Sequence, residues 1–142
     1  MKKVITVLLL MLLFAAFGIN AFAATNEGIS TCATNVITVI TGFDISDSGN
    51  AEVTVKYFGY NGITQSAKIT TKIERLVGGV WSTVEIGVYD NVWIDNSTQV
   101  NYTNTHSVQL TSRGTYRAVV VYEISGTGGA TDVIERTIEK TY

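Results

Sequence analysis

The sequence predicts an all-β fold, an antiparallel sandwich of about seven strands. Three observations lead there. The chain is rich in Val, Ile, Thr and Tyr, whose branched or flat side chains fit a pleated, half-buried surface. It contains no proline. Clusters of Gly, Asn, Asp and Ser interrupt it every eight to twelve residues or so, the rhythm of a sandwich or barrel, and no long stretch has helical periodicity.

Taken in order, the segment from Asn35 to Ile45 carries Val36, Ile37, Val39, Ile40 and Phe43 and stops at the turn-prone Ser46-Asp47-Ser48-Gly49-Asn50. From Ala51 to Tyr60, Val53, Val55 and Tyr57 alternate with Glu52, Thr54 and Lys56, so one face is buried and one wet. After Asn61-Gly62, the stretch from Ala67 to Leu76 sets Ile69, Thr71 and Ile73 against Lys68, Thr70, Lys72 and Glu74 with the same period of two. Val77-Gly78-Gly79 turns the chain back into Val80 to Ile86 as a hairpin. There Ser82, Val84 and Ile86 share one side, and Trp81, Thr83 and Glu85 the other.

Gly87 to Ser97, with Trp93 between Asp90-Asn91 and Asp95-Asn96, fits no single element. Gln99 to Thr105 offers Val100 and Tyr102 as inward residues, and Val108 and Leu110 lead to Ser112-Arg113-Gly114. Tyr116 to Ile124 is apolar on both faces at Val119, Val120 and Val121, as a central strand requires. It therefore needs a neighbour on each side, and Gly126-Thr127-Gly128-Gly129 is a loop into one. The last segment, Thr131 to Tyr142, reads as a strand because Val133, Ile134, Thr137, Ile138 and Thr141 are β-branched. The i, i+4 spacing of Ile134 and Ile138 leaves a helix open.

Ahead of this lies a leader of another kind. Lys2 and Lys3 are followed by an apolar run from Val4 to Phe17 and by Ala21-Phe22-Ala23, the order of a secretory signal peptide cleaved after Ala23. The run is short for a membrane span, which wants about 20 residues. Residues 1–23 are thus a signal peptide, 24–33 a flexible mature N-terminus and 34–142 one domain. The mature protein is expected to be secreted and extracellular. Cleavage leaves 119 of the 142 residues, enough for one core without metal or disulfide support.

Losing Lys2 and Lys3 takes the net charge from −2 to −4, with no basic cluster. That argues against nucleic acid, and against a membrane partner after cleavage, since both are held mainly by Lys and Arg. Cys32 is alone and closes no internal bridge, though in an oxidising compartment it could link two chains as a disulfide dimer.

The stretch Leu110-Thr111-Ser112-Arg113-Gly114-Thr115-Tyr116-Arg117-Ala118 resembles the approach to strand F of immunoglobulin-like sandwiches, in which a tyrosine at the strand start folds its hydroxyl onto the upstream backbone. The resemblance makes Tyr116 that corner tyrosine and residues 34–142 an immunoglobulin-like domain. Ala118 stands where antibody domains carry their second cysteine. Neither Val53 nor Val55 supplies the first, and no Trp sits in the third strand. The layout of signal peptide, Leu76-to-Trp81 hairpin, Gly-Thr-Tyr-Arg and terminal strand also resembles small secreted proteins of Gram-positive bacteria of uncharacterised function, which implies compartment and fold only.

No catalytic constellation is evident, and the chain reads as a non-enzyme. His106 is the one histidine, its neighbours suggest an exposed strand end, and no Gly-x-Ser-x-Gly turn presents a nucleophile. One His and one Cys cannot assemble a zinc site. Asp44, Asp47 and Asn50, or Asp90, Asn91, Asp95 and Asn96, could offer oxygens to calcium but lack the spacing of a calcium loop. No cofactor or metal is expected.

What remains is recognition by aromatic side chains. Trp81, Tyr89 and Trp93 are the candidate ligand-binding residues, and Trp81 faces outward if Val84 and Ile86 face the core. The expected function is a secreted, non-catalytic structural or interaction module whose partner is a protein or glycan at the cell surface. The alternative is a carbohydrate-binding module, which needs those aromatics exposed on one plane.

Overall fold

The computed structural model describes residues 33–142. The proposed signal peptide, nearly all of the mature N-terminal segment and Cys32 lie outside the described residues. Eight strands follow one another: β1 (Val36–Ile45), β2 (Asn50–Gly59), β3 (Thr64–Val77), β4 (Val80–Thr83), β5 (Trp93–Ser97), β6 (Asn101–Gln109), β7 (Thr115–Gly126) and β8 (Asp132–Thr141). All pair antiparallel, and they form two sheets. The first has the order β1-β2-β6. In the second, β7 lies between β3 and β8, while β4 and β5 share the far edge of β3, β5 along Ala67 to Thr71 and β4 along Glu74 to Val77.

The result is an antiparallel immunoglobulin-like β-sandwich. The eighth strand is β5, drawn from the stretch that fits no single element in sequence, and the terminal segment is a strand, not a helix. β6 is also longer than its sequence suggests, running on through His106 to Gln109.

Period two explains the core. Val53, Val55 and Tyr57 of β2 are buried against Ile69, Thr71 and Ile73 of β3 and Ala118, Val120, Tyr122 and Ile124 of β7. Antibody domains close this space with a disulfide; here Val53, Val55 and Ala118 fill it with close-packed aliphatic groups. The hydroxyl of Tyr116 donates to the carbonyl of Ser112 at 2.5 Å, which is the tyrosine corner that the Gly-Thr-Tyr-Arg stretch implies. At the β3–β4 hairpin, Gly78 and Gly79 both take positive φ, 59° and 83°, as a two-residue turn that matches strand twist requires.

Two sheets stacked face to face leave two open sides. On one, β1 faces β8. On the other, the β4/β5 edge faces β6, and the chain crosses between the sheets through Thr98 to Val100.

Candidate functional site

The three candidate aromatics occupy three different surfaces. Trp81 is on β4, paired with Leu76, and Val84 just beyond packs on the core, so the indole lies on the outer face of the second sheet. It is half-buried rather than free, because the Arg117 guanidinium covers its ring at 4.4 Å. Arg117 Nε in turn donates to Glu74 Oε2 at 2.6 Å, and Lys72 Nζ donates to Glu74 Oε1 at 2.7 Å. Burial pushes the Glu74 carboxyl up, but the hydrogen bonds and charges of Lys72 and Arg117 outweigh it and hold the group below its ordinary 4.5. This row is a self-satisfied surface ladder.

Trp93 points the other way. It opens β5 opposite Thr71 on the inner face, where its ring stacks on the His106 imidazole with centroids 4.9 Å apart and planes 5° from parallel. His106 lies on the inner side of β6, and its Nε2 lies 2.7 Å from Asp95 Oδ2. The expectation of an exposed strand-end histidine without partners is therefore corrected. His106 sits inside β6, its side chain 15% exposed, against an Asp95 side chain 7% exposed. The other Asp95 oxygen accepts from the Tyr102 hydroxyl at 3.0 Å and from Asn104 Nδ2 at 2.7 Å. Burial first, then the hydrogen bond and charge of Asp95, push the Tyr102 phenol above its ordinary 10.0. One carboxylate from the second sheet thus collects three side chains of β6 in the first.

Tyr89 is the free aromatic. It is 88% exposed on the loop between β4 and β5, beside exposed Val88. The loop is shaped at its backbone, since Asp90 and Asn91 both lie in the left-handed region with φ 53°, and Asn91 Oδ1 accepts from the Ile86 amide at 3.1 Å. Non-glycine residues enter that region at a cost, tolerated best by Asp and Asn, and such strain concentrates at binding segments. Close to the loop's base, a groove of about 350 Å³ opens between the sheets, with Val84 and Glu85 on one wall, Gln109 and Leu110 on the other, and Arg75 and Tyr116 beside them.

The Asp95–His106 pair has the contact of an acid–base dyad, yet its imidazole is stacked on Trp93 and hydrogen-bonds only to Asp95 among the described residues. Among the described residues, no group of three or more His, Cys, Asp or Glu side chains could hold a metal ion. The chain matches no protein-family model and no curated protein. The residues that sequence reasoning missed are Asp95, Tyr102 and Asn104 as a cluster. The alternation of Tyr102, Asn104, His106 and Val108 would have placed the histidine inward had β6 been extended past Thr105.

Proposed function

We propose that the mature chain is an exported, non-catalytic interaction module that meets a protein or glycan through the β4–β5 loop, with Tyr89 as its leading contact. The observation that carries this is a tyrosine almost wholly in solvent on a loop whose conformation is fixed by two left-handed residues and a side-chain hydrogen bond. A rigid aromatic offers large contact area at small entropy cost, and a preset loop lowers that cost further. Export rests on the Lys-apolar-Ala23 leader and on the likeness to small secreted Gram-positive proteins.

A carbohydrate platform made jointly by Trp81, Tyr89 and Trp93 is not favoured, because the first is capped by Arg117 and the second indole is stacked on His106. The test is an array of cell-surface glycans and proteins probed with the mature chain. Tyr89→Ala should weaken binding at least about tenfold, a loss of about 1.4 kcal/mol, while Trp81→Ala and His106→Ala keep it. Undiminished binding by Tyr89→Ala would move the site off this loop.

A further inference from the structure

The sandwich has four strand edges, and they differ sharply in how they meet water. The β8 edge carries Glu135, Arg136, Glu139 and Lys140, the charges that guard an edge against pairing with another chain. The edge made by β4 and β5 is split by the loop between them into short pieces. On β6 the outward residues are Asn101, Thr103, Thr105, Ser107 and Gln109, so pairing there would bury no apolar surface. β1 is different. From Val36 to Phe43 it holds no charge and no proline, and among the described residues no strand occupies its second edge.

Two of its outward side chains are large and apolar. Ile37 is 56% and Ile40 51% exposed, and Phe58 and Tyr60 continue the same outer face onto and just beyond β2. An open row of backbone donors and acceptors flanked by exposed isoleucines offers both main-chain hydrogen bonds and burial to an added strand.

We propose that this edge pairs with the β1 edge of a second copy, antiparallel about a two-fold axis through Ile40. The strand is its own best complement, for three reasons. Across β1, Thr38, Ile40 and Gly42 face out while Val39, Thr41 and Phe43 face in, and an antiparallel partner must keep each side chain on its own face. With Ile40 opposite Ile40, Thr38 falls opposite Gly42 and Val39 opposite Thr41, so faces match and the exposed isoleucines cover each other. The same register opposes no like charges, because Asp44 lies beyond the paired stretch; the Lys56 residues of the two copies stand three strand spacings apart, about 14 Å, beyond the screening length of about 8 Å at physiological salt. Finally, the register shift between Val36 and Thr38 ends regular pairing at Thr38 and so limits slippage. A closed, isologous six-stranded sheet results, with no edge left at its centre.

The mature chain carrying Cys32→Ser, which removes thiol linkage, is examined by analytical ultracentrifugation over a wide concentration range. It should dimerise reversibly, and Ile40→Lys should raise the dissociation constant at least about tenfold, whereas Thr137→Lys on β8 leaves it unchanged. Added to the Cys32→Ser background, Ile40→Cys should give a disulfide-linked dimer under mild oxidation. Should Ile40→Lys fail to fold by circular dichroism, Thr38→Lys gives the same reading. A monomer at every concentration, a dimer that Ile40→Lys leaves intact, or an edge filled only when another protein's extended segment is supplied would each overturn the proposal.

Discussion

The two open sides of the sandwich are fastened by different chemistry. Where β1 meets β8, the fastenings reach the backbone. The Asp132 carboxylate accepts from the amides of Thr34 at 3.1 Å and Asn35 at 2.7 Å, Asn35 Nδ2 donates to the Ala130 carbonyl, and the Tyr122 hydroxyl crosses from β7 to the Ile40 carbonyl and Thr41 Oγ1. Gly128 approaches Thr34 so closely that a Cβ there would collide with its carbonyl oxygen. Where β5 meets β6, one carboxylate, Asp95, holds three side chains of β6, beside the Tyr57 hydroxyl of β2, which donates to Ser97 Oγ at 3.1 Å and to the Gln99 carbonyl at 2.5 Å. The first side divides its ties among Asp132, Asn35 and Tyr122, so no one substitution removes them all. The second gathers three of its ties on one hub, Asp95, and that same side carries the proposed binding loop.

The largest effect expected from this contrast is at the hub. Asp95→Ala leaves Tyr102, Asn104 and His106 without their acceptor in a part-buried site and should cost about 3 kcal/mol, read by equilibrium denaturant unfolding. A cost under about 1 kcal/mol would mean that water replaces the carboxylate and that the hub picture fails.

On the other side, Tyr122→Phe removes one hydroxyl with two partners and should cost about 1 to 2 kcal/mol. Equality with Asp95→Ala would erase the contrast.

Titration from the alkaline side separates the two as well. Burial raises the Tyr122 phenol above its ordinary 10.0, with the hydrogen bond to Thr41 opposing, and burial together with Asp95 raises Tyr102. A phenol raised in the folded state keeps its proton there while the unfolded chain releases it. Its stabilisation is therefore full below about pH 10 and is lost as pH climbs through the folded value. Asp95→Asn should bring the Tyr102 ionisation down, since Asp95 raises it by both hydrogen bond and charge, and lower that of Tyr122 less, since only the charge of Asp95 acts there, followed by phenolate absorbance. Equal shifts in both would erase the distinction between the two sides.

The smallest effect belongs to the surface pair Lys140–Asp44, 3.2 Å apart with Asp44 largely exposed. Asp44→Asn should change stability by less than about 0.5 kcal/mol. A larger change in thermal unfolding would make this pair a structural tie of the β1–β8 side and weaken the claim that backbone contacts hold it.

Much of the fold was legible because burial in a sheet follows period two. Val53, Val55 and Tyr57, or Ile69, Thr71 and Ile73, announce a buried face without any knowledge of what covers it. The corner at Tyr116 was legible because it is local, closing four residues back on Ser112. β5 was not, because Trp93 to Ser97 becomes a strand by pairing with Ala67 to Thr71, 22 to 30 residues upstream, and not by its own pattern.

By itself, then, the sequence determined the strand-rich class, the sandwich core, the hairpin at Gly78-Gly79 and the candidate aromatics, all of which depend on side-chain alternation and turn chemistry within a few residues. Only the tertiary structure decided which aromatic is free, that His106 is enclosed, and that β1 keeps an uncharged edge from Val36 to Phe43 with no described strand beyond it. The physical reason is common to all three. Exposure and pairing are properties of neighbours distant in the chain: Arg117 covers Trp81, Asp95 and Trp93 enclose His106, and nothing among the described strands lies beyond β1.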